Sequence, residues 1–363
     1  MISVVMCVFL EDKLVLNQAI ESILNQTFRD FEFIIVNDNP DNTLNKQILK
    51  DYSLRDKRIK VIENIENIGL TKSLNLALKL AKGKYIARMD ADDISLKYRF
   101  QKQVEFLDEN LNISVCGSAV SFIGKRSFFS KKIKTYPSSH KCIVTEILFS
   151  NPIAHPSVML RKKDLVDNYL WYNEDLQKAQ DYDLWFRAIH YITFHNMKAP
   201  LLKYRISANQ ISATGKKEQD KVANIIRSNA ILKIIKTSKE ELCLHNRVCN
   251  GEKPESLSEL NKLDTWFVKL YNQLLSNNLY DEKYLIEVLN SYIQNAYIKY
   301  YIGIKSFKYF NSKIFKYSRN KSHHLFLFMF KYIKSYIFLK AINIRCLGLI
   351  YFVCLITSDI NNL

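Results

Sequence analysis

Three carboxylates crowd together where an apolar run ends. The run YIARM, Tyr85 to Met89, leads straight into Asp90, Asp92 and Asp93 in the segment MDADD. In extended chain, residues two apart point to the same side, so Asp90 and Asp92 can direct both carboxylates at one target. Hard oxygen donors in that arrangement suit Mg²⁺ or Mn²⁺, which take one or two carboxylates and leave their other positions to water and substrate phosphates. Part of the cluster has a plainer reading, in which Asp93 and Ser95 cap a helical stretch from Leu96 to Glu109. Capping accounts for one acid. It does not account for three beside an apolar strand, where mutual repulsion is a cost without a cation. A further acid, Asp38, follows a second apolar run, FEFIIVN.

These acids need a scaffold, and the surrounding pattern supplies one. ISVVMCV at the start is a continuous apolar run, followed by helical spacing from Asp12 to Asn25 with Leu14, Leu16, Ile20, Ile23 and Leu24 on one face. Strands are predicted at Phe31 to Val36, Ile59 to Glu63 and Tyr85 to Arg88, with helices at Thr43 to Tyr52 and Leu70 to Ala81 between them. The turn formers NDNPDN, Asn37 to Asn42, close the second strand. Strands alternating with helices predict an α/β fold with a mostly parallel sheet wound by right-handed crossovers. Ligands of such sheets bind outside the carboxyl ends of the strands, which is where Asp38 and the Asp90 cluster fall.

With those elements in order, the sequence resembles the inverting, metal-dependent glycosyltransferases of family two, which have the nucleotide-sugar-binding GT-A fold. The resemblance runs through SILNQTFRDFEFIIVND, NIGLTKSLNLALKLAKGKYIARMDADDIS, RFQKQVEFL, VCGSAV, QDYDLWFRA and LLKYRIS, roughly Ile2 to Ser212. It implies that Asp38 holds the uracil or ribose of a nucleoside diphosphate sugar and that the Phe9 ring lies against the base. Asp90 and Asp92 match the family's D-x-D pair, the first meeting the ribose or sugar and the second the metal. Lys72 stands where the family often has a basic residue near the nucleotide; a solvated helix-surface lysine is the competing reading.

The resemblance also implies a base. QDYDLW, Gln180 to Trp185, is similar to the family's E-D-x-x-x-W element, whose aspartate takes the acceptor proton, here Asp181. On that reading Gln180, Trp185, Asp93 and His155 fall on the acceptor side, His155 within NPIAHPSVMLRK. Without the upstream acids, Asp181 reads equally well as the cap of a helix from Tyr182 to His190, and a lone histidine is more often structural than functional. The chain departs from the family pattern in three places. Gln180 replaces the usual Glu, CVFL replaces P-x-Y-N after the first strand, and Asn37 and Asn39 replace the common surroundings of Asp38. None touches the metal pair.

Composition bounds what remains. The chain has 363 residues with formal net charge +17, and only 8 Gly and 6 Pro, too little punctuation for a turn-dense β sandwich. From Val288 to Ser358 there is no Asp or Glu, while Lys and Arg alternate with Phe and Tyr. The apolar stretch Cys346 to Ile356 is too short to cross a bilayer, which needs about 20 residues. Basic and aromatic residues so mixed suit the headgroup region of anionic lipid, and a helical bundle with a solvated lysine face is the other reading. Helices are predicted at Lys221 to Lys236, Leu257 to Leu275 and Glu282 to Tyr300, with Asn246 to Glu259 as linker. Seven scattered cysteines without C-x-x-C argue for a reducing compartment. Cys243, His245 and Cys249 match no standard zinc spacing.

The expectation is therefore a catalytic domain over 1–215 and a helical, basic annex over 216–363. The enzyme would use Mn²⁺ or Mg²⁺ to move a hexose from a UDP-linked donor to a saccharide, free or carried on undecaprenyl diphosphate, in O-antigen or capsule synthesis. It would work at the cytoplasmic face of a bacterial inner membrane. Two other classes compete: an inactive scaffold of this fold, and a nucleic-acid binder using the basic segment. No RNP, KH or zinc-finger pattern supports the latter, so no nucleic acid is expected.

Overall fold

The computed structural model describes residues 1–124, 132–206 and 215–304. Strands β1 (Ile2–Val8), β2 (Phe31–Asn37), β3 (Ile59–Glu63) and β4 (Tyr85–Asp90) alternate with helices α1 (Lys13–Leu24), α2 (Thr43–Arg55) and α3 (Leu70–Leu80). The strands lie parallel in the order β3-β2-β1-β4. β1 and β2 are buried almost throughout, which is why both read as unbroken apolar runs rather than alternating ones. Helix starts are set locally: the Asp12 side chain accepts from Leu14 N–H and that of Asn42 from Asn45 N–H.

The second half of the sheet is mixed. It contains β5 (Ile94–Ser95), α4 (Arg99–Glu109), β6 (Val115–Ile123), β7 (Ile133–Lys134), α5 (His140–Ile147), β8 (Met159–Arg161), α6 (Lys162–Asp167), α7 (Gln180–Ala188) and β9 (Phe194–Arg205). The nine-stranded sheet runs β3-β2-β1-β4-β8-β6-β9-β5, with β7 paired to β6. β8 is antiparallel to β4 and β6, β9 is parallel to β6, and β5 is antiparallel to β9. The expected α/β architecture with a mostly parallel sheet is present, with an antiparallel component around β8. One face of the sheet packs Val4, Met6, Phe33, Ile35, Ala87 and Met89 against Leu16, Ile20, Phe100 and Leu107 of the helices.

One local expectation is corrected. The helix after the acids begins at Arg99, not Leu96, so Asp93 and Ser95 do not cap it. The intervening β5 pairs Ile94 with Lys203 and Ser95 with Leu202. Ser95 donates its N–H to Ser22 Oγ at 3.0 Å, and its hydroxyl accepts from Gln26 Nε2 at 3.1 Å. Those partners are distant in sequence, so the local cap pattern was the only signal available.

Helices α8 (Lys216–Leu232), α9 (Lys239–Cys249), α10 (Leu257–Leu275) and α11 (Glu282–Ile304) follow. α10 and α11 begin where the periodicity places them, whereas α9 fills the front of the expected linker. The chain forms two compact units: Met1–Leu242 with Asn272–Leu285, and Cys243–Tyr271 with Ile286 and the described residues after it. In the second, His245 is buried and its Nδ1 accepts from the Trp266 indole N–H at 3.3 Å. Among the described residues no helix is long and apolar enough to cross a membrane. Most of the basic, aromatic segment and all of Cys346 to Ile356 lie outside the described residues.

Candidate active site

β4 delivers the acids. Ligand oxygens of Asp90, Asp92 and Asp93 lie within 4.8 Å of one another, Asp90 and Asp92 partly exposed and Asp93 buried. β9 fixes this corner from outside: Arg205 donates its backbone N–H to Asp93 Oδ1 at 2.8 Å and its Nε–H to the Asp92 carbonyl at 2.6 Å. Burial first, then the charges of Asp90 and Asp92, push the Asp93 carboxyl well above the usual carboxylate range. Its Oδ2 is buried with no hydrogen-bond partner. An all-oxygen donor set with an unsatisfied buried member fits a hard divalent cation.

Arg88, two residues back along the strand, sits under the acids. Its side chain is on the same side of β4 as Asp90, and Nη2 pairs with Asp90 Oδ1 at 2.5 Å. Arg88 is only 4% exposed, and its Nε and Nη1 have no hydrogen-bond partner.

Asp181 lies in the first turn of α7, where the helix dipole favours an anion. Asn151 Nδ2 donates to Asp181 Oδ2 at 2.7 Å. Burial raises the Asp181 carboxyl, against the opposing pull of Asn151, the N–H groups at the helix start and the Arg88 charge. Ala179, immediately before the helix, adopts left-handed φ 53°, a strained conformation for a residue with a Cβ.

The other acceptor-side positions are more deeply placed. His155 is buried, and its Nε2 lies 2.6 Å from the Tyr172 hydroxyl. Burial and the Arg88 charge hold the imidazole well below its ordinary pKa, while burial raises that of the Tyr172 hydroxyl. Trp185 is fully buried, edge-on to His155 and Phe194. Gln180 is buried as the first residue of α7. The loop carrying Tyr172 is anchored to α3, since Asn75 Nδ2 donates to the Tyr172 carbonyl at 2.9 Å and Asn75 Oδ1 accepts from its N–H at 3.1 Å.

At the end of β2, Asp38 is buried and its carboxylate accepts three hydrogen bonds. Asn64 Nδ2 at 2.7 Å, Ile68 N–H at 2.9 Å and Gly69 N–H at 2.9 Å all donate to it. Gly69 has φ 87° at the start of α3, a left-handed turn that glycine takes without steric cost. Phe9 has 41% of its surface exposed just beyond β1, and its carbonyl accepts from Asn39 and Asn45. Lys72 is exposed in the first turn of α3.

Sequence reasoning singled out none of Glu11, Arg88, Asn151, Tyr172 and Arg205. Glu11 is raised to about 7 by burial foremost, with Asp92 and Asp90 adding to the effect, and it accepts from Phe9 N–H at 2.7 Å. Arg88 alone carried a usable signal, a full charge inside an apolar parallel strand.

Residues 3–170 match the family described as Glycosyl transferase family 2. An uncharacterized glycosyltransferase of Haemophilus influenzae is 31% identical over 329 residues, covering 87% of this chain and 95% of the relative. The chain belongs to glycosyl transferase family 2. This glycosyltransferase is also 38% identical over 210 residues to the O-antigen biosynthesis glycosyltransferase WbnJ of Escherichia coli, covering 57% of the chain and 80% of WbnJ. Among solved structures, TarS 1-349 of Staphylococcus aureus, in complex with UDP-GlcNAc, aligns with TM-score 0.55 at 19% identity, over 85% of this glycosyltransferase and 93% of that chain. At that identity the likeness is one of fold, and the family and GT-A fold expected from the motifs are both met.

Proposed function

We propose that this glycosyltransferase transfers a hexose, with inversion, from a UDP-linked donor to a saccharide hydroxyl in surface polysaccharide synthesis. Asp90 and Asp92 would hold Mn²⁺ or Mg²⁺, which when bound supplies Lewis-acid stabilisation of charge on the departing diphosphate. Asp38 and Phe9 sit at neighbouring strand ends, as a nucleoside site requires, with Lys72 on the adjoining helix. Asp181 accepts the proton of the attacking hydroxyl, a role typically worth about 10²- to 10⁴-fold. A carboxyl raised by burial is a stronger base than an exposed one, and the Asn151 and helix-start donors keep it oriented. Gln180 would border the acceptor, with His155 and Trp185, packed edge-on to one another, on the same side.

The single observation that carries this reading is the pairing of two carboxylate sites on one scaffold. An oxygen-only cluster stands at the exit of β4, and a separate part-buried, raised carboxylate opens α7. An inactive scaffold has no need of either. The relative named for O-antigen biosynthesis supports a polysaccharide product, and the fold shared with a UDP-GlcNAc complex supports a uridine donor. In this proposal residues 1–215 are catalytic, and the basic annex over 216–363 holds the enzyme at the cytoplasmic face of the inner membrane, near an undecaprenyl-diphosphate-linked acceptor.

The test is a panel of nucleotide sugars assayed for Mn²⁺-dependent release of nucleotide, with Asp181→Asn alongside. The variant should bind UDP as the parent does and lose turnover by about 10² or more. Near-normal turnover removes Asp181 from the mechanism. Flotation with anionic vesicles tests the annex: a chain truncated before Val288 should no longer float.

A further inference from the structure

The glycosyltransferase buries a cation that its fold does not require. Arg88 occupies the interior of a parallel strand whose neighbours Ala87 and Met89 are core residues. Its backbone is fully committed: the N–H donates to the Val158 carbonyl at 2.9 Å, and the carbonyl accepts from Arg99 Nη2 at 2.8 Å. Only Nη2 of the guanidinium is paired, to Asp90, and Nε and Nη1 are buried without hydrogen-bond partners. Removing a charge from water costs more than a single ion pair to a partly exposed carboxylate recovers. Apolar residues of similar volume often serve stability as well or better. A half-satisfied buried guanidinium is thus poor core design, and its surroundings suggest what it is for.

Those surroundings begin with the donor-side acids. Arg88 contacts Asp90 directly at 2.5 Å, and the same buried charge opposes the raised pKa of Asp181 and lowers that of His155. Across the sheet, Val5 is its register partner on β1 and Cys7 is that of Asp90.

We propose that Arg88 is a positioning residue that holds the donor-side carboxylate Asp90 in place by direct contact. The inference rests on the transfer reaction proposed above. In this role Arg88 acts through Asp90 and not on the substrate. Removing a group that orients a metal ligand typically costs about 10- to 100-fold in metal affinity or activity.

The experiment uses the full chain, with Arg88→Met to keep volume and remove charge, and Arg88→Lys to keep charge and remove the planar fork. UDP binding is measured by calorimetry with and without Mn²⁺, and turnover as UDP release from the best substrate in a UDP-sugar panel. Arg88→Met should lose about 10- to 100-fold in Mn²⁺-dependent UDP affinity, with turnover falling in step, and keep the parent's metal-free UDP affinity. Arg88→Lys should recover part of that loss, since the charge returns without the shape of the guanidinium. Parental Mn²⁺-dependent UDP binding in Arg88→Met overturns the proposal, as does an equal loss of metal-free binding. If Arg88→Met fails to fold, Arg88→Lys decides: Mn²⁺-dependent UDP binding weakened with metal-free binding retained upholds the proposal, and parental binding in both conditions, or loss of both, overturns it. A parent chain that binds no UDP and releases none from any donor refutes the transfer reaction and the inference with it. An active parent beside an unimpaired variant refutes the inference alone.

Discussion

Asn151 donates its side-chain amide to Asp181 across 2.7 Å, joining the loop before β8 to the first turn of α7. This hydrogen bond stabilises the ionised carboxylate, in opposition to burial, which raises its pKa. In Asn151→Ala the opposing contribution is lost, so the Asp181 pKa rises further. A hydrogen bond to a charged group is worth about 1.5–3 kcal/mol, so the acidic limb of the pH–rate profile should move to higher pH by about one to two units. A pH–rate profile whose acidic limb stays in place in Asn151→Ala would separate Asn151 from the base.

Asp92→Ala should abolish Mn²⁺-dependent UDP binding while leaving the fold intact. Asp92 is partly exposed at the strand exit, so its loss opens no cavity, and its backbone carbonyl, not its side chain, takes the bond from Arg205 Nε. Calorimetric titration of UDP with and without Mn²⁺ checks this. Equal, tight, metal-dependent binding in variant and parent would contradict the metal assignment.

The parallel half of the fold was readable because its signals are local. ISVVMCV and FEFIIVN are buried on both faces, and a doubly buried strand has nothing to alternate with. β5, β7 and β8 were not predicted as such, because two or three residues carry no periodicity, and the longer β6 and β9 were not either, because their pairing depends on partners far along the chain, as Ser95 with Leu202 shows for β9. The site divides in the same way. Asp38, Asp90, Asp92 and Asp181 stand out as acids at element ends. Asn151 and Tyr172 are ordinary residues in loops, and they matter only because the fold brings one to Asp181 and the other to His155. Arg205 was equally silent: nothing near LLKYR says that its amide will meet Asp93.

Glu11 gives a stability signature with a definite sign. Its carboxyl is raised from 4.5 to about 7 in the folded chain. Between those two values the folded state binds more protons than the unfolded one, so the contribution to stability is full below about pH 4.5 and is lost as pH rises through 7. Glu11→Gln removes this dependence. At pH 7.5 the variant should be more stable than the parent by on the order of 1–3 kcal/mol, and the gain should vanish near pH 4. Chemical denaturation at several pH values measures it. A gain that grows as pH falls would reverse the assigned sign.

Asp38 gathers the donors of one loop. Its carboxylate takes the side chain of Asn64 and the N–H groups of Ile68 and Gly69, and Asn64 also donates to Ser73 Oγ at 2.9 Å. The start of α3 therefore hangs on one side chain, and α3 in turn holds the Tyr172 loop through Asn75. Asp38→Ala leaves two N–H groups and an amide without their acceptor. With hydrogen bonds to charged groups worth about 1.5–3 kcal/mol each and partial rescue by water, a loss on the order of 3 kcal/mol is expected. Asp38→Asn keeps one acceptor oxygen and should lose about half as much. The effect should also reach beyond stability. Hydrogen exchange of the Ile68 and Gly69 amides should accelerate first, and that of the Tyr172 amide should follow, because its acceptor Asn75 rides on the loosened helix. Faster exchange confined to residues 64–69, with Tyr172 as protected as in the parent, would show that the nucleoside end and the base end of the site are mechanically independent.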